Sequence, residues 1–165
     1  MAKKKAEEKA LNLDRILFNC RDYLRAARNS GSFFEKRDMM LTLVFLRFIG
    51  EKYEDGIANL RNKLKAQGLD PDDEDIKAAF FDDPTFDDGT YSLPPEAQWN
   101  TIINTPSANL NVALDTALHS LAAGSEQLKG CFVEGTFTTR NLAPNDIKKI
   151  VDEVNKISHK QFGEE

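Results

Sequence analysis

One stretch of the chain is apolar on almost every side if it is helical. Between Met39 and Ile49, nine of eleven residues are apolar. This pattern is typical of a helix surrounded by other helices, and the run is far shorter than the ~20 residues that a membrane helix requires. The sequence therefore predicts an all-α bundle of about six helices around a central apolar helix at about 33–65, with no membrane span.

Local signals place the other helices. Leu13 to Ala27 has the spacing of an amphipathic helix, Gly31 allows a tight turn, and Ser32 with Glu35 fits a capping box that begins the central helix. The segment 130–139 is predicted to be an extended loop. Further helices are predicted after the acidic residues 72–75, from Pro95 through Ile103, at 110–121, and from Pro144 through Ile157.

The chain is predicted to form one domain, 11–165, preceded by a charged extension at 1–10. Residues 82–94 contain two prolines, one glycine and four aspartates without helical periodicity. Such a stretch is typical of a long surface loop. We therefore expect a single helical bundle that carries one acidic loop.

The net charge of −5 hides a strong asymmetry along the chain. Residues 1–48 carry a net charge of +5, whereas residues 66–100 carry −9. Local patches rather than net charge decide where a polyanion binds. The N-terminal third is therefore the candidate region for contact with nucleic acid.

Five basic residues in this region form the candidate nucleic-acid site. Arg21, Arg25 and Arg28 recur at i, i+4 and i+7, which predicts one shared helix face, and Lys36 and Arg37 begin the next helix. Such a patch suits phosphate contacts, which position a protein without reading bases. Exposed arginines are also common on amphipathic helices, and nearby acidic residues such as Asp22 and Glu35 offer partners that neutralise part of the charge.

Catalytic, cofactor-binding and metal-binding residues are not predicted. No G-x-G motif occurs, so the glycine fingerprints of nucleotide sites are missing. Neither His119 nor His159 has a partner at metal-ligand spacing, and Cys20 and Cys131 are predicted to be buried free thiols. The N-terminus lacks the apolar region of a secretory signal, so a cytoplasmic protein is predicted.

Several segments together carry a family resemblance. Residues 13–25 (LDRILFNCRDYLR), 38–54 (DMMLTLVFLRFIGEKYE), 91–99 (YSLPPEAQW), the helix at 110–121 and residues 128–132 (LKGCF) resemble, in order and spacing, one known domain. It is the N-terminal helical domain of the modification subunit of type I restriction-modification systems. That subunit is an adenine-specific DNA methyltransferase.

The resemblance implies a function that residues 1–165 do not carry alone. In the family, a domain that binds S-adenosylmethionine and contains an N-P-P-aromatic motif follows the helical domain, so we expect it beyond residue 165 and expect this fragment alone to be inactive. The full-length form would methylate N6 of adenine at a specific DNA site. Its implied partners are DNA, a specificity subunit, a second modification subunit and a restriction subunit.

A different class of function remains open at this point. The acidic stretch at 70–88 is a possible binding face of a free-standing helical protein–protein interaction module. Under the first hypothesis the domain clamps DNA and assembles methyltransferase subunits. The interaction module could also use the acidic stretch to mimic DNA toward a partner, but mimicry needs negative charge across a surface, whereas residues 1–48 carry +5.

Overall fold

The computed structural model describes residues 2–81 and 93–161, with side chains for 13–81 and 93–160. Within these residues all regular secondary structure is helical and no strand occurs, which confirms the predicted all-α fold. The predicted acidic loop at 82–94 lies outside the described residues except for its last two. The α-helices are α1 (Ala2–Ala26), α2 (Phe33–Ala66), α3 (Glu74–Phe80), α4 (Trp99–Asn104), α5 (Leu110–Gly124) and α6 (Pro144–Val154), and the 3₁₀ turns are Pro95–Ala97, Ser107–Asn109 and His159–Gln161.

The ends of α1 and α2 meet at a short turn. Asn29 and Gly31 both have positive φ, 64° and 85°. The Ser32 hydroxyl accepts a hydrogen bond from the Glu35 N–H at 3.4 Å, and the Glu35 carboxylate accepts one from the Ser32 N–H at 2.7 Å. This capping box satisfies two N–H groups that would otherwise lack partners, and it begins α2 at Phe33 as predicted.

The core lies on one side of α2. Met39, Leu43 and Leu46 are fully buried, whereas Leu41 is 55% exposed, so the expectation of a helix enclosed on all sides is wrong. The neighbours of α2 include α1, α4 and α6, and they leave the face that carries Leu41 uncovered. Buried residues on these and other elements complete the core: Ile16, Cys20, Leu24, Ile102, Leu110, Leu114, Leu118, Ile147, Ile150, Val151 and Val154.

Helices α2 and α4 lie close together at Gly50. A Cβ atom at this position would lie 2.5 Å from the Trp99 Cβ atom. Trp99 is 2% exposed, and its indole N–H donates to the Asn155 side-chain oxygen at 2.8 Å. Trp99 therefore links α2, α4 and the end of α6.

The predicted helix from Pro95 through Ile103 is divided in two. The 3₁₀ turn Pro95–Ala97 ends at Gln98, whose extended backbone precedes α4. The Gln98 side-chain amide donates to the Tyr53 hydroxyl and to the Leu93 carbonyl, each at 3.4 Å. These tertiary contacts hold Gln98 outside a helix, which local sequence signals do not reveal.

The segment 130–139 forms a loop, as expected, but its backbone is a series of turns rather than extended. Phe137 is fully buried within it. The Asp115 carboxylate accepts hydrogen bonds from the Phe137 N–H at 3.0 Å and the Thr138 N–H at 2.8 Å. A carboxylate on α5 therefore organises this segment.

The two cysteines have different environments. Both thiols are free. Cys20 is buried, and burial above all raises the pKa of its thiol to about 12. Cys131 is exposed, so the prediction of two buried thiols is wrong for Cys131: it lies among surface turns that provide no core around it.

The chain after α6 is attached to the middle of α2. The Arg47 side chain donates to the Ile157 carbonyl at 2.9 Å. The Glu51 carboxylate accepts hydrogen bonds from the Ser158 hydroxyl at 2.8 Å and from the His159 N–H at 2.7 Å. Together these bonds form a junction, here called the C-terminal latch.

A membrane-spanning helix requires length and a continuous apolar surface together, and no helix in the described part of the chain combines the two.

Candidate nucleic-acid interface

The five predicted basic residues lie on two helices and the turn between them. Arg21 and Arg25 are on α1, Arg28 is in the turn, and Lys36 and Arg37 are near the beginning of α2. Lys36 is half-buried and the other four are exposed. Because α1 and α2 contact each other, the sequence-predicted residues cluster around the connection between these helices. We call this set the basic surface.

The spacing predicted that Arg28 shares a helix face with Arg21 and Arg25, and this prediction is wrong. The last bond of α1 is donated by the Ala27 N–H to the Tyr23 carbonyl at 2.9 Å, and α1 ends at Ala26. The positive φ of Asn29 then turns the chain. Arg28 therefore projects from the turn, where helical spacing no longer determines its direction.

Neighbouring acids neutralise only part of the basic surface. Arg21 lies 4.0 Å from the Asp22 carboxylate, and Arg37 lies 3.0 Å from Asp38. Both arginine side chains remain about half exposed, at 58% and 48%, and exposed ion pairs such as these contribute little to stability. Arg25, Arg28 and Lys36 form no ion pair within the described residues.

Glu35 does not neutralise Lys36 or Arg37. Its carboxylate closes the capping box with Ser32 and forms a salt bridge with Arg140. Arg140 thereby attaches the 130–139 region to the beginning of α2, and its guanidinium lies close to Gly31. Arg140 was not predicted from the sequence, because nothing in its local sequence indicates proximity to residues more than 100 positions away.

Exposed aromatic side chains accompany the basic surface, and they too were not predicted from the sequence. Phe18 is 53% exposed and Phe34 is 63% exposed. The Arg21 guanidinium lies 4.7 Å from the centre of the Phe18 ring, and that of Arg37 lies 5.3 Å from the centre of the Phe34 ring. The repeated Phe-x-x-Arg spacing at 18–21 and 34–37 was the available signal, since side chains three residues apart are neighbours on a helix.

The described part of the acidic stretch is partly paired with cations. Arg61 on α2 contacts Asp72 at 2.6 Å and, above all through this hydrogen bond, lowers the pKa of the Asp72 carboxyl group. Lys77 contacts Glu74 at 3.1 Å. Asp73 caps α3 by accepting hydrogen bonds from two N–H groups of its first turn. Much of this charge therefore has a local structural role.

A comparison with models of known protein families identifies the family of the chain. A family model described as the HsdM N-terminal domain matches residues 13–154. The chain belongs to this family. It is the N-terminal domain of the modification subunit of type I restriction-modification systems, which confirms the resemblance found in the sequence. No curated protein matches the chain.

Several of the residues that carried the resemblance are core residues of this HsdM N-terminal domain. Trp99 links three helices, and the Phe132 ring packs against Phe45 at 5.6 Å between ring centres. Helix α5, a further landmark, buries Leu110, Leu114 and Leu118. The matched region also includes the whole basic surface. The charge of this surface is an observation separate from the core residues that carried the resemblance.

Proposed function

We propose that this domain assembles a type I modification subunit with its partners and contacts the DNA backbone through the basic surface. The observation that carries the proposal is the set of cations without an ion pair in the described residues: Arg25, Arg28 and Lys36. Membership of the HsdM N-terminal domain family supports the role in subunit assembly. The contact with DNA is the finer part of the proposal.

The chemistry of the basic surface suits phosphates rather than base edges. Arginine and lysine contacts to phosphate position a protein on the duplex and carry no sequence information. We expect weak, non-specific binding by the isolated domain, with a dissociation constant of roughly 10⁻⁴ to 10⁻⁶ M that rises with salt as counterions are released. Sequence recognition belongs, in this proposal, to a specificity subunit.

The proposal places the domain within a larger enzyme. The full-length modification subunit transfers a methyl group from S-adenosylmethionine to N6 of adenine in a specific DNA site. It does so with a specificity subunit and a second modification subunit, and a restriction subunit joins the complete complex. The helical domain closes the complex around DNA in a cytoplasmic assembly.

The competing proposal of an acidic interaction module has weaker support. Arg61 and Lys77 already pair with acids of the stretch at 70–81, so a basic partner would have to displace them. The basic surface retains exposed cations without such partners, and a polyanion need not displace any group to reach them. We therefore favour DNA as the ligand over a basic protein.

Triple substitution of Arg21, Arg25 and Arg28 by alanine tests the contact with DNA. Duplex binding is measured at several salt concentrations, in the 165-residue chain and in the assembled methyltransferase. We expect weaker binding and a salt dependence whose slope falls by roughly one for each phosphate that the variant no longer neutralises. A matched control replaces three exposed lysines on other parts of the surface, Lys65, Lys129 and Lys149, by alanine.

The control removes the same charge and is expected to leave the slope nearly unchanged. Equal effects of the two triple variants would mean that net charge alone governs binding and would contradict the proposed interface. An unchanged affinity and slope in the arginine variant would place the DNA contact elsewhere and leave this domain with its assembly role.

A further inference from the structure

Three exposed phenylalanines lie on the two helices that carry the basic surface. Phe33 is 71% exposed, beside Phe34 at 63%, and Phe18 is 53% exposed on the adjacent helix. Single exposed apolar residues are common, whereas groups of large ones mark interaction sites. Exposed phenylalanines on the two packed helices that carry the arginines therefore suit a ligand that contacts both rings and cations.

The rings and guanidinium groups form two similar units. In each unit an arginine lies one helical turn after a phenylalanine and covers its ring: Arg21 over Phe18, and Arg37 over Phe34. Phe33 packs edge-on against Phe34, with 5.7 Å between ring centres. These contacts restrain the rings while more than half of each ring's residue surface stays open to solvent.

The surroundings of these units argue for a nucleic-acid ligand. Arg25, Arg28 and Lys36 lie on the same two helices and their connecting turn, without ion pairs in the described residues. A protein that covered the rings would also have to desolvate these cations, which is costly unless each gains a well-placed acid. A nucleic-acid strand supplies regularly spaced phosphates for the cations and flat bases for the rings.

Unpaired nucleotides fit this surface better than an intact duplex does. In a duplex the faces of the bases are stacked inside, so the rings would meet only sugars and phosphates. Unpaired bases expose their π-faces and stack on aromatic side chains, while cations hold the backbone. We propose that the basic surface, through Phe18, Phe33 and Phe34, binds single-stranded or locally unpaired DNA in preference to duplex DNA.

This inference rests on the proposed function, because it assumes that the basic surface contacts DNA. It extends that function by giving the domain a role where the two DNA strands are separated, and not only where the duplex is intact. The arginines supply affinity for any DNA strand, and the phenylalanines supply the preference for unpaired bases. The two contributions are separable by substitution, since the rings carry no charge.

The test compares three fluorescent DNA probes by anisotropy at constant salt. They are an oligothymidylate of about 20 nucleotides, a mixed-sequence duplex of the same length, and that duplex with a central mismatched bubble. The variant combines Phe18→Ala with Phe34→Ala. The control combines Val112→Ala with Val133→Ala, which trims two exposed apolar residues elsewhere, 59% and 74% exposed.

The unsubstituted chain is expected to bind the oligothymidylate and the bubble more tightly than the duplex. Loss of two stacking rings is expected to weaken binding to both unpaired probes about tenfold or more, with little change for the duplex. The valine control should alter none of the three affinities. Urea unfolding of both variants verifies that these exposed substitutions leave the fold intact.

Other outcomes separate the failure of this inference from that of the proposed function. Equal affinity for the three probes, with a salt slope that depends on the arginines, would overturn the preference for unpaired bases and leave the duplex contact standing. Absence of binding to any probe would overturn both. If the phenylalanine variant lost assembly with other subunits while its DNA binding was unchanged, the rings would serve a protein interface and the inference would be wrong.

Discussion

The two faces of α2 differ far more in environment than in composition. On the inner face Met39, Leu43 and Leu46 are fully buried, and Gly50 contacts Trp99. On the outer face Phe34 and Leu41 are 63% and 55% exposed, respectively, although they are just as apolar. Hydrophobicity along this helix therefore reflects two things: packing in the domain's own core and, in our proposal, a surface that binds a ligand.

The difference shows how to separate a packing residue from a recognition residue in a helix that is apolar all round. Inner-face residues meet side chains from several other elements of the same domain. On the outer face an apolar side chain lies beside a cation, as Phe34 lies beside Arg37. Substitutions on the inner face should therefore alter stability, and those on the outer face should alter binding.

The largest expected effect comes from truncation of the inner face. Leu46→Ala removes a fully buried side chain and is expected to lower the free energy of unfolding by about 2–5 kcal/mol through lost transfer energy and a cavity. Leu41→Ala is the matched outer-face control, with an expected change within about 0.5 kcal/mol. Urea unfolding measures both, and similar losses would contradict the separation of the two faces.

The contact between Gly50 and Trp99 predicts a smaller but distinct loss. In Gly50→Ala the new methyl group would lie 2.5 Å from the Trp99 Cβ atom, so the backbones must move apart. We expect overpacking to lower the free energy of unfolding by about 1–3 kcal/mol, although a change from glycine to alanine inside a helix normally stabilises it.

Gly124→Ala provides the control for that substitution. Gly124 is in α5, and no atom lies within 4 Å of a Cβ built there, so alanine should be neutral or slightly stabilising. Thermal unfolding of the two variants compares them directly. A neutral Gly50→Ala would show that α2 and α4 separate without cost.

The C-terminal latch predicts a pH-dependent contribution to stability. Burial alone would raise the pKa of Glu51, but hydrogen bonds from the His159 N–H and the Ser158 hydroxyl, with the nearby Arg47 charge, lower it below its ordinary value of 4.5. The stabilisation is therefore complete above the ordinary value and is lost as the pH falls through the lowered pKa. Glu51→Gln is expected to cost about 1 kcal/mol at neutral pH.

Unfolding across a pH series checks the sign of this contribution. The difference between Glu51→Gln and the unsubstituted chain should shrink as the pH drops below the ordinary glutamate pKa. Glu54→Gln, at an exposed position of the same helix, should show little difference at any pH. A gap between Glu51→Gln and the unsubstituted chain that widened in acid would mean that the carboxylate is not the stabilising form.

The capping box predicts a similarly small effect on stability. Ser32→Ala removes the side-chain acceptor at the beginning of α2, and loss of an N-cap costs typically about 1 kcal/mol. Ser32→Thr keeps a hydroxyl acceptor and should retain most of the stability. Because the cap orients the first turn, which carries Phe33 and Phe34, the alanine variant should also weaken binding to unpaired DNA more than the threonine variant does.

Local sequence signals predicted most of the fold because they act within one or two helical turns. The capping box at Ser32 and the apolar spacing of α5 and α6 are of this kind. The errors arose where distant residues decide the structure. Gln98, which is outside a helix, donates a hydrogen bond to the distant Tyr53 hydroxyl, and periodicity does not show which side of α2 remains uncovered.

The candidate site was predictable only in part for the same reason. Clustered arginines are visible in the sequence, so Arg21 and Arg37 were found as members of one region. The pairing of Glu35 with Arg140 was not visible, because it joins residues that are distant along the chain. The exposed phenylalanines were not predicted as part of the site, since sequence alone does not distinguish a ring that packs in the core from a ring that is exposed on the surface.

The Gly50 contact also has a mechanical consequence. A glycine inside a long helix is a natural point of bending, yet α2 runs without interruption through its 34 residues, a length of about 50 Å, and Trp99 fills the space beside Gly50. While the indole stays in place, α2 should move as a stiff rod. A displacement of the end that carries Phe34 and Arg37 would then be carried to the C-terminal latch at Arg47 and Glu51, coupling the motion of the proposed DNA-binding end to the position of residues 157–159.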